Sequence, residues 1–103
     1  MQESMIAEIV TFRTLPGVTS ESVRTLAEGL APFLAKAPGF VARGLSQAED
    51  GGWTDYVLWR SLPEAMAAAE QIMAEPCAAP FMAAIDGDSV RMSHAPVLVR
   101  QTA

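Results

Sequence analysis

The sequence predicts one small α+β domain, with element order β-α-β-β-α-β and a four-stranded antiparallel sheet carrying both helices on one face. Three observations lead there. Positions 6–13 alternate with apolar residues on both faces, two segments at 20–37 and 61–75 carry helix-forming sequence, and an acid-and-glycine turn joins two β-rich runs. At 103 residues the chain fits a single domain spanning 1–103, with its core at about 5–100.

Ile6 to Arg13 reads Ile-Ala-Glu-Ile-Val-Thr-Phe-Arg. Ile6, Val10 and Phe12 share one face, while Ala7, Ile9 and Thr11 share the other, so a central strand covered on both sides is expected. Leu15-Pro16-Gly17 ends it. Ser20 is the expected N-cap of the first helix, with Glu21 at the positive end of its dipole. Val23, Leu26, Ala27, Leu30, Phe33 and Leu34 then form one apolar stripe, bent at Pro32 and ended by Pro38-Gly39.

Phe40 to Ala48 and Trp53 to Arg60 read as strands joined through Glu49-Asp50-Gly51-Gly52. Ser61-Leu-Pro-Glu64 matches a capping box that opens an alanine-rich helix over 65–75. Pro76 interrupts it, a short helical piece follows over 78–85, and Asp86-Gly87-Asp88 turns the chain into a last strand over 89–99, disturbed at Pro96. The whole order is the split βαβ pattern of ferredoxin-like folds. One sheet face would remain bare, and a second copy of the chain, closing the two sheets into a dimeric α+β barrel, is the simplest cover for it.

Half of the residues are hydrophobic and 18% are charged, which argues against disorder and suggests an apolar cavity, a subunit interface, or both. The net charge of -5 and the scattered seven basic residues argue against nucleic-acid binding. Met1-Gln2-Glu3-Ser4 carries no basic leader and no long apolar run follows, so neither a signal peptide nor membrane association is expected. A single cysteine makes a reducing, cytoplasmic location the expectation.

His94 is the only histidine. Alternation places it with Val90 and Met92, where it is either a general base beside an apolar cavity or a hydrogen-bonded sheet histidine. A lone histidine does not make a metal site within one chain. Trp53 and Trp59 share a face and Tyr56 takes the other, so these rings either stack on a flat ligand or anchor core and interface. The site residues expected on this basis are His94 as catalytic base, with Tyr56, Trp59, Met92 and Phe12 binding substrate. Arg43, Arg60 and Arg91 in predicted strands either pair with carboxylates, orient an anionic substrate, or stand at solvated edge positions, the preferred reading. Cys77 is read as a buried inert thiol, and the six methionines as cavity or core filler.

The segments IAEIVTFRTLPGV, APGF and WRSLPEAMAAAEQIMAEP resemble the antibiotic-biosynthesis-monooxygenase-like superfamily, and the resemblance runs from Ile6 to Val99. It implies a homodimeric barrel with a small apolar or aromatic ligand held between sheet and helices. It also implies cofactor-independent monooxygenation as the leading activity, with isomerisation behind it and non-catalytic metabolite binding or a structural dimer as the alternative. No cofactor is expected. Monooxygenase-like members often carry a histidine where this chain has Ala67-Ala68-Ala69, and haem-degrading members use an asparagine, whereas this chain contains none.

Overall fold

The computed structural model describes residues 4–103; Met1–Glu3, the segment in which no leader is expected, lies outside the described residues. The elements are β1 (Ile6–Phe12), α1 (Ser20–Glu28), α2 (Ala31–Lys36), β2 (Phe40–Gln47), β3 (Trp53–Trp59), α3 (Leu62–Ile72), α4 (Ala79–Ala84) and β4 (Arg91–Pro96). Single 3-10 turns at Pro76–Ala78 and Gly87–Ser89 lead into α4 and β4. The sheet order is β2-β3-β1-β4 and every pairing is antiparallel, the α+β architecture expected from the sequence.

The first helical stretch differs from expectation in two ways. It is two helices rather than one bent helix, and its cap is Thr19 rather than Ser20. Pro32 has no amide to donate to the Glu28 carbonyl, and its ring crowds that carbonyl, so α1 stops at Glu28 and α2 restarts with Pro32 in its first turn. Thr19 is extended and its hydroxyl accepts from the Ser22 amide at 3.1 Å. Ser20 instead donates from its hydroxyl to Gln47 Oε1 at 2.8 Å, tying α1 to the end of β2.

The second helix opens as expected. Ser61 Oγ accepts from the Glu64 amide at 3.3 Å and donates to Glu64 Oε1 at 3.0 Å. α3 begins at Leu62, three residues earlier than the alanine run alone suggests, because Pro63 is compatible with the first turn. The same junction holds Gly39, whose φ of +84° favours glycine. A Cβ there would lie 2.5 Å from the Glu64 carboxyl carbon, while the Gly39 carbonyl accepts from the Arg60 amide at 2.8 Å.

Alternation decides the layers. Ile6, Glu8, Val10 and Phe12 of β1 face the helices together with Trp53, Asp55, Val57 and Trp59 of β3, and the core forms there with Val23, Leu30, Leu34, Ala65, Ala68 and Phe81. Phe12 stacks on Trp53 at 6.3 Å and meets Phe81 edge-on at 5.8 Å; Phe40 meets Trp59 edge-on at 5.9 Å. On the other face Ile9 and Tyr56 remain exposed beside Ala7 and Thr54. Pro96 sits at the end of the edge strand β4, where its missing donor costs little; the ladder is continued by Val97 N–H donating to the Met5 carbonyl at 2.8 Å. Beyond it Leu98 and Val99 are almost fully exposed. Among the described residues no helix is long and apolar enough to cross a membrane.

The Gly39 junction yields a stability prediction. Gly39→Ala both strains a left-handed backbone and displaces Glu64, costing about 2 kcal/mol, whereas Ser61→Ala loses only a cap worth about 1 kcal/mol. Urea unfolding of the two variants checks the order; a Gly39→Ala protein as stable as wild type contradicts it.

Candidate functional site

Between the covered sheet face and the helices lies a cavity of about 250 Å³. Its floor is β1 and β3, through Val10, Phe12, Val57 and Trp59; its roof is α3 and α4, through Ala68, Ile72 and Phe81. The small side chain of Ala68, 5% exposed, leaves the roof close to the sheet without filling the space. Met73, Met82 and Met92 also line it and are substantially exposed, so flexible thioethers stand where the cavity meets solvent. An engineered cavity of about 150 Å³ holds benzene, so this one suits a molecule of one or two rings.

Three charged side chains enter this apolar lining: Glu8, Arg43 and Asp55. Arg43 and Asp55 form a bidentate pair, with Nε donating to Oδ1 at 2.9 Å and the second guanidinium nitrogen to Oδ2 at 2.6 Å. The remaining terminal nitrogen donates to the Ala27 carbonyl at 2.9 Å, and the guanidinium carbon lies 5.7 Å from the centre of the Phe81 ring. The pair is nine-tenths or nearly so out of water, with side chains 13% and 11% exposed. Arg43 is therefore not at the solvated edge position preferred from sequence but follows the alternative, pairing with a carboxylate. It is drawn inward, reaching the Ala27 carbonyl of α1, because Asp55 on the neighbouring strand would otherwise be buried alone. Arg60 and Arg91 do remain exposed.

Glu8 is 7% exposed and sits at the centre of the second constellation. Trp59 Nε1 donates to its Oε1 at 2.8 Å, and His94 Nε2 lies 3.5 Å from its Oε2. His94 is directly opposite Glu8 in the β1–β4 register, and its Nε2 has no hydrogen-bond partner among the described residues. Among those residues Glu8 has no Lys or Arg partner, so His94 and the Trp59 indole are the polar groups beside it.

Of the site residues expected from sequence, Phe12, Trp59 and Met92 line the cavity. His94 reaches it only through Glu8. Tyr56 lies on the opposite sheet face, 39% exposed and outside the cavity, because it alternates with the inward Asp55 and Val57, and among the described residues the register shifts only in β2, between Phe40 and Ala42. Cys77 is half-buried rather than sequestered; partial burial and then the Glu75 carboxylate push its thiol up, away from the reactive thiolate. No group of three His, Cys, Asp or Glu side chains suited to a metal ion occurs among the described residues.

Glu8, Arg43 and Asp55 were not singled out by sequence reasoning as a group. A signal existed: each occupies the face that its own strand devotes to apolar residues, Glu8 between Ile6 and Val10, Asp55 between Trp53 and Val57. A charge on a covered face needs a partner, and that alone marks it.

Solved structures share this architecture. The chain superposes on SnoaB, a cofactor-independent oxygenase from Streptomyces nogalater, with a TM-score of 0.62 at 23% identity, covering 96% of each chain. A Caulobacter crescentus protein assigned as an antibiotic biosynthesis monooxygenase gives 0.74 at 16% identity, over 94% of this chain and 92% of that one. A similarly assigned protein from Bordetella bronchiseptica gives 0.72 at 17% identity, over 94% and 100%. The chain thus has the fold of the antibiotic biosynthesis monooxygenase structures over nearly its whole length. No protein-family model matches the sequence, and none of the curated proteins does.

Breaking the buried ion pair separates its two costs. Arg43→Met leaves the Asp55 carboxylate buried and unpaired, and costs about 3–5 kcal/mol; Arg43→Met combined with Asp55→Leu removes both charges and recovers most of that loss. Denaturant titration of the single and double variants is the check, and a double variant less stable than the single one contradicts the pairing.

Proposed function

We propose that this chain works as a homodimer whose cavity binds a small aromatic ligand and carries out cofactor-independent monooxygenation of it. The observation that carries the reading is the composition of the cavity: an apolar, ring-sized space with two buried carboxylates, of which Asp55 is closed off by Arg43 while Glu8 faces the single histidine. Such a wall binds a flat ligand by exclusion of water, while the acid–base pair removes a proton from it. The likeness in fold to a cofactor-independent oxygenase agrees with this chemistry.

In this reading Phe12, Trp59 and Met92 hold the ring, and the Glu8–His94 pair takes the proton. Loss of a proton from an activated ring carbon leaves a stabilised carbanion, whose electrons pass to dioxygen. One oxygen atom becomes a ring carbonyl and the other leaves as water with the two hydrogens of that carbon. Excluding bulk water protects the carbanion from simply regaining its proton.

The second copy covers the bare sheet face. Ile9 and Tyr56 are exposed there beside the already buried Leu58, and Leu98 and Val99 extend beyond the body of the chain with nothing against them. In this arrangement Tyr56 belongs to the seam between copies rather than to the ligand site. A second reading, a non-catalytic metabolite-binding homodimer, is favoured by one observation: Arg43, Asp55 and Trp59 already satisfy one another or Glu8, leaving few polar groups free for chemistry.

Native mass spectrometry of protein purified from cells tests both. The expected species is a dimer that releases a small aromatic molecule on activation, and Ile9→Lys shifts it to monomer. Oxygen uptake when the released molecule is returned to the protein supports the oxygenase reading; tight binding without uptake supports the binding protein. A wild-type monomer at micromolar concentration, with nothing retained, removes both.

A further inference from the structure

The geometry points to a division of labour within the acid–base pair: Glu8 is the group that touches the ligand and takes its proton, and His94 carries that proton on to solvent. The inference rests on the reading of the cavity as a ligand site and assigns roles that this reading leaves open.

Position decides the first half. Glu8 lines the cavity, whereas His94 does not. The two stand on neighbouring strands, directly opposite in register, with His94 on the edge strand β4 and Glu8 on the central strand β1. A ligand in the cavity therefore meets the carboxylate first. Trp59 Nε1 donates to Oε1 and holds the carboxylate in place, so Oε2 is the oxygen turned toward His94.

The arrangement of lone pairs decides the second half. At 3.5 Å Glu8 Oε2 and His94 Nε2 face one another with no hydrogen bond between them, and when the imidazole carries its proton on Nδ1 both atoms are acceptors. One proton arriving between them turns that opposition into a charge-assisted hydrogen bond. His94 Nε2 is closed off from water, yet the side chain keeps 16% exposure, so the accessible part of the ring lies away from Nε2. An imidazole can accept on one nitrogen and release from the other. The step balances: the ligand's bond to hydrogen breaks as the Glu8 O–H bond forms, that bond breaks as Nε2–H forms, and the proton on Nδ1 leaves to water. The ligand keeps the electron pair, Glu8 returns to its starting state, and His94 is left as its Nε2–H tautomer. A turn of the imidazole ring, bringing the bare nitrogen back to face Glu8, resets it for the next proton.

The test uses 1-naphthol as the probe, because its hydroxyl becomes strongly acidic in the excited state and the neutral and ionised forms emit in separate bands. Bound to the wild-type chain it should show the naphtholate band although it is shielded from bulk water. Glu8→Gln, which can still accept from Trp59, should still bind the probe but cut the naphtholate share by about fivefold or more. His94→Gln should keep the band but shorten its lifetime, since a proton on Glu8 then has no onward acceptor and returns. Transfer to deuterated water should weaken the band in the unmodified chain, an arm that depends on no variant folding. Loss of the band in His94→Gln with its retention in Glu8→Gln would reverse the roles and overturn the inference. Binding with neutral emission alone in wild type also overturns it, while leaving the cavity reading intact. Failure of wild type to bind the probe removes the cavity reading, and the division of labour with it.

Discussion

Two carboxylates on the covered face of the sheet set the terms for everything around them. Strand alternation gives Glu8 and Asp55 no route to water: Ile6, Val10 and Phe12 hold β1 against the helices, and Trp53, Val57 and Trp59 hold β3. An unpaired buried charge costs several kcal/mol, a large share of the stability of a domain this size. Each acid has therefore recruited a partner across a strand. Arg43 is drawn under α1 to meet Asp55, and Glu8 takes the Trp59 indole on one oxygen and faces His94 with the other. The two solutions differ in completeness. The Arg43–Asp55 pair is closed, with its third hydrogen bond spent on the Ala27 carbonyl; the Glu8–His94 pair is open, with Nε2 unbonded. A closed pair supports a wall, and an open one can exchange a proton.

The cavity exists where an alanine of α3 meets a floor of large side chains, with Ile72 and Phe81 forming the rest of the roof. Ala68 of α3 lines it with Trp59 and Val57, and Met73 just past α3, Met82 of α4 and Met92 of β4 flank the opening instead of plugging it. The opposite face is the counterpart of this arrangement. A short chain that commits its bulky residues to one layer leaves the other with Ile9 and Tyr56 uncovered, which is the physical case for a second copy.

Much of this was legible in the sequence because it is local. The strands, the hairpin at 49–52, the Ser61–Glu64 box and the helix after it depend on neighbours within a few positions, and the opposite directions of Trp59 and Tyr56 follow from counting by twos. The break at Glu28 and the Thr19 cap lay at the limit of that reasoning, since a proline in an apolar stripe can bend a helix or end it. What stayed hidden is cross-strand register. Glu8 meets His94 and Asp55 meets Arg43 only after strands distant in sequence align, so Arg43 reads as a surface residue until Asp55 is set beside it.

The central claim is that a dry, ring-sized space persists between sheet and helices with Glu8 at its wall. Xenon pressurisation of crystals of the unliganded protein tests it most directly, because xenon collects in enclosed apolar cavities and disturbs little else. The account predicts a xenon site enclosed by Phe12, Val57, Trp59, Ala68 and Ile72. Side chains collapsed into that volume, with no xenon there, would contradict it.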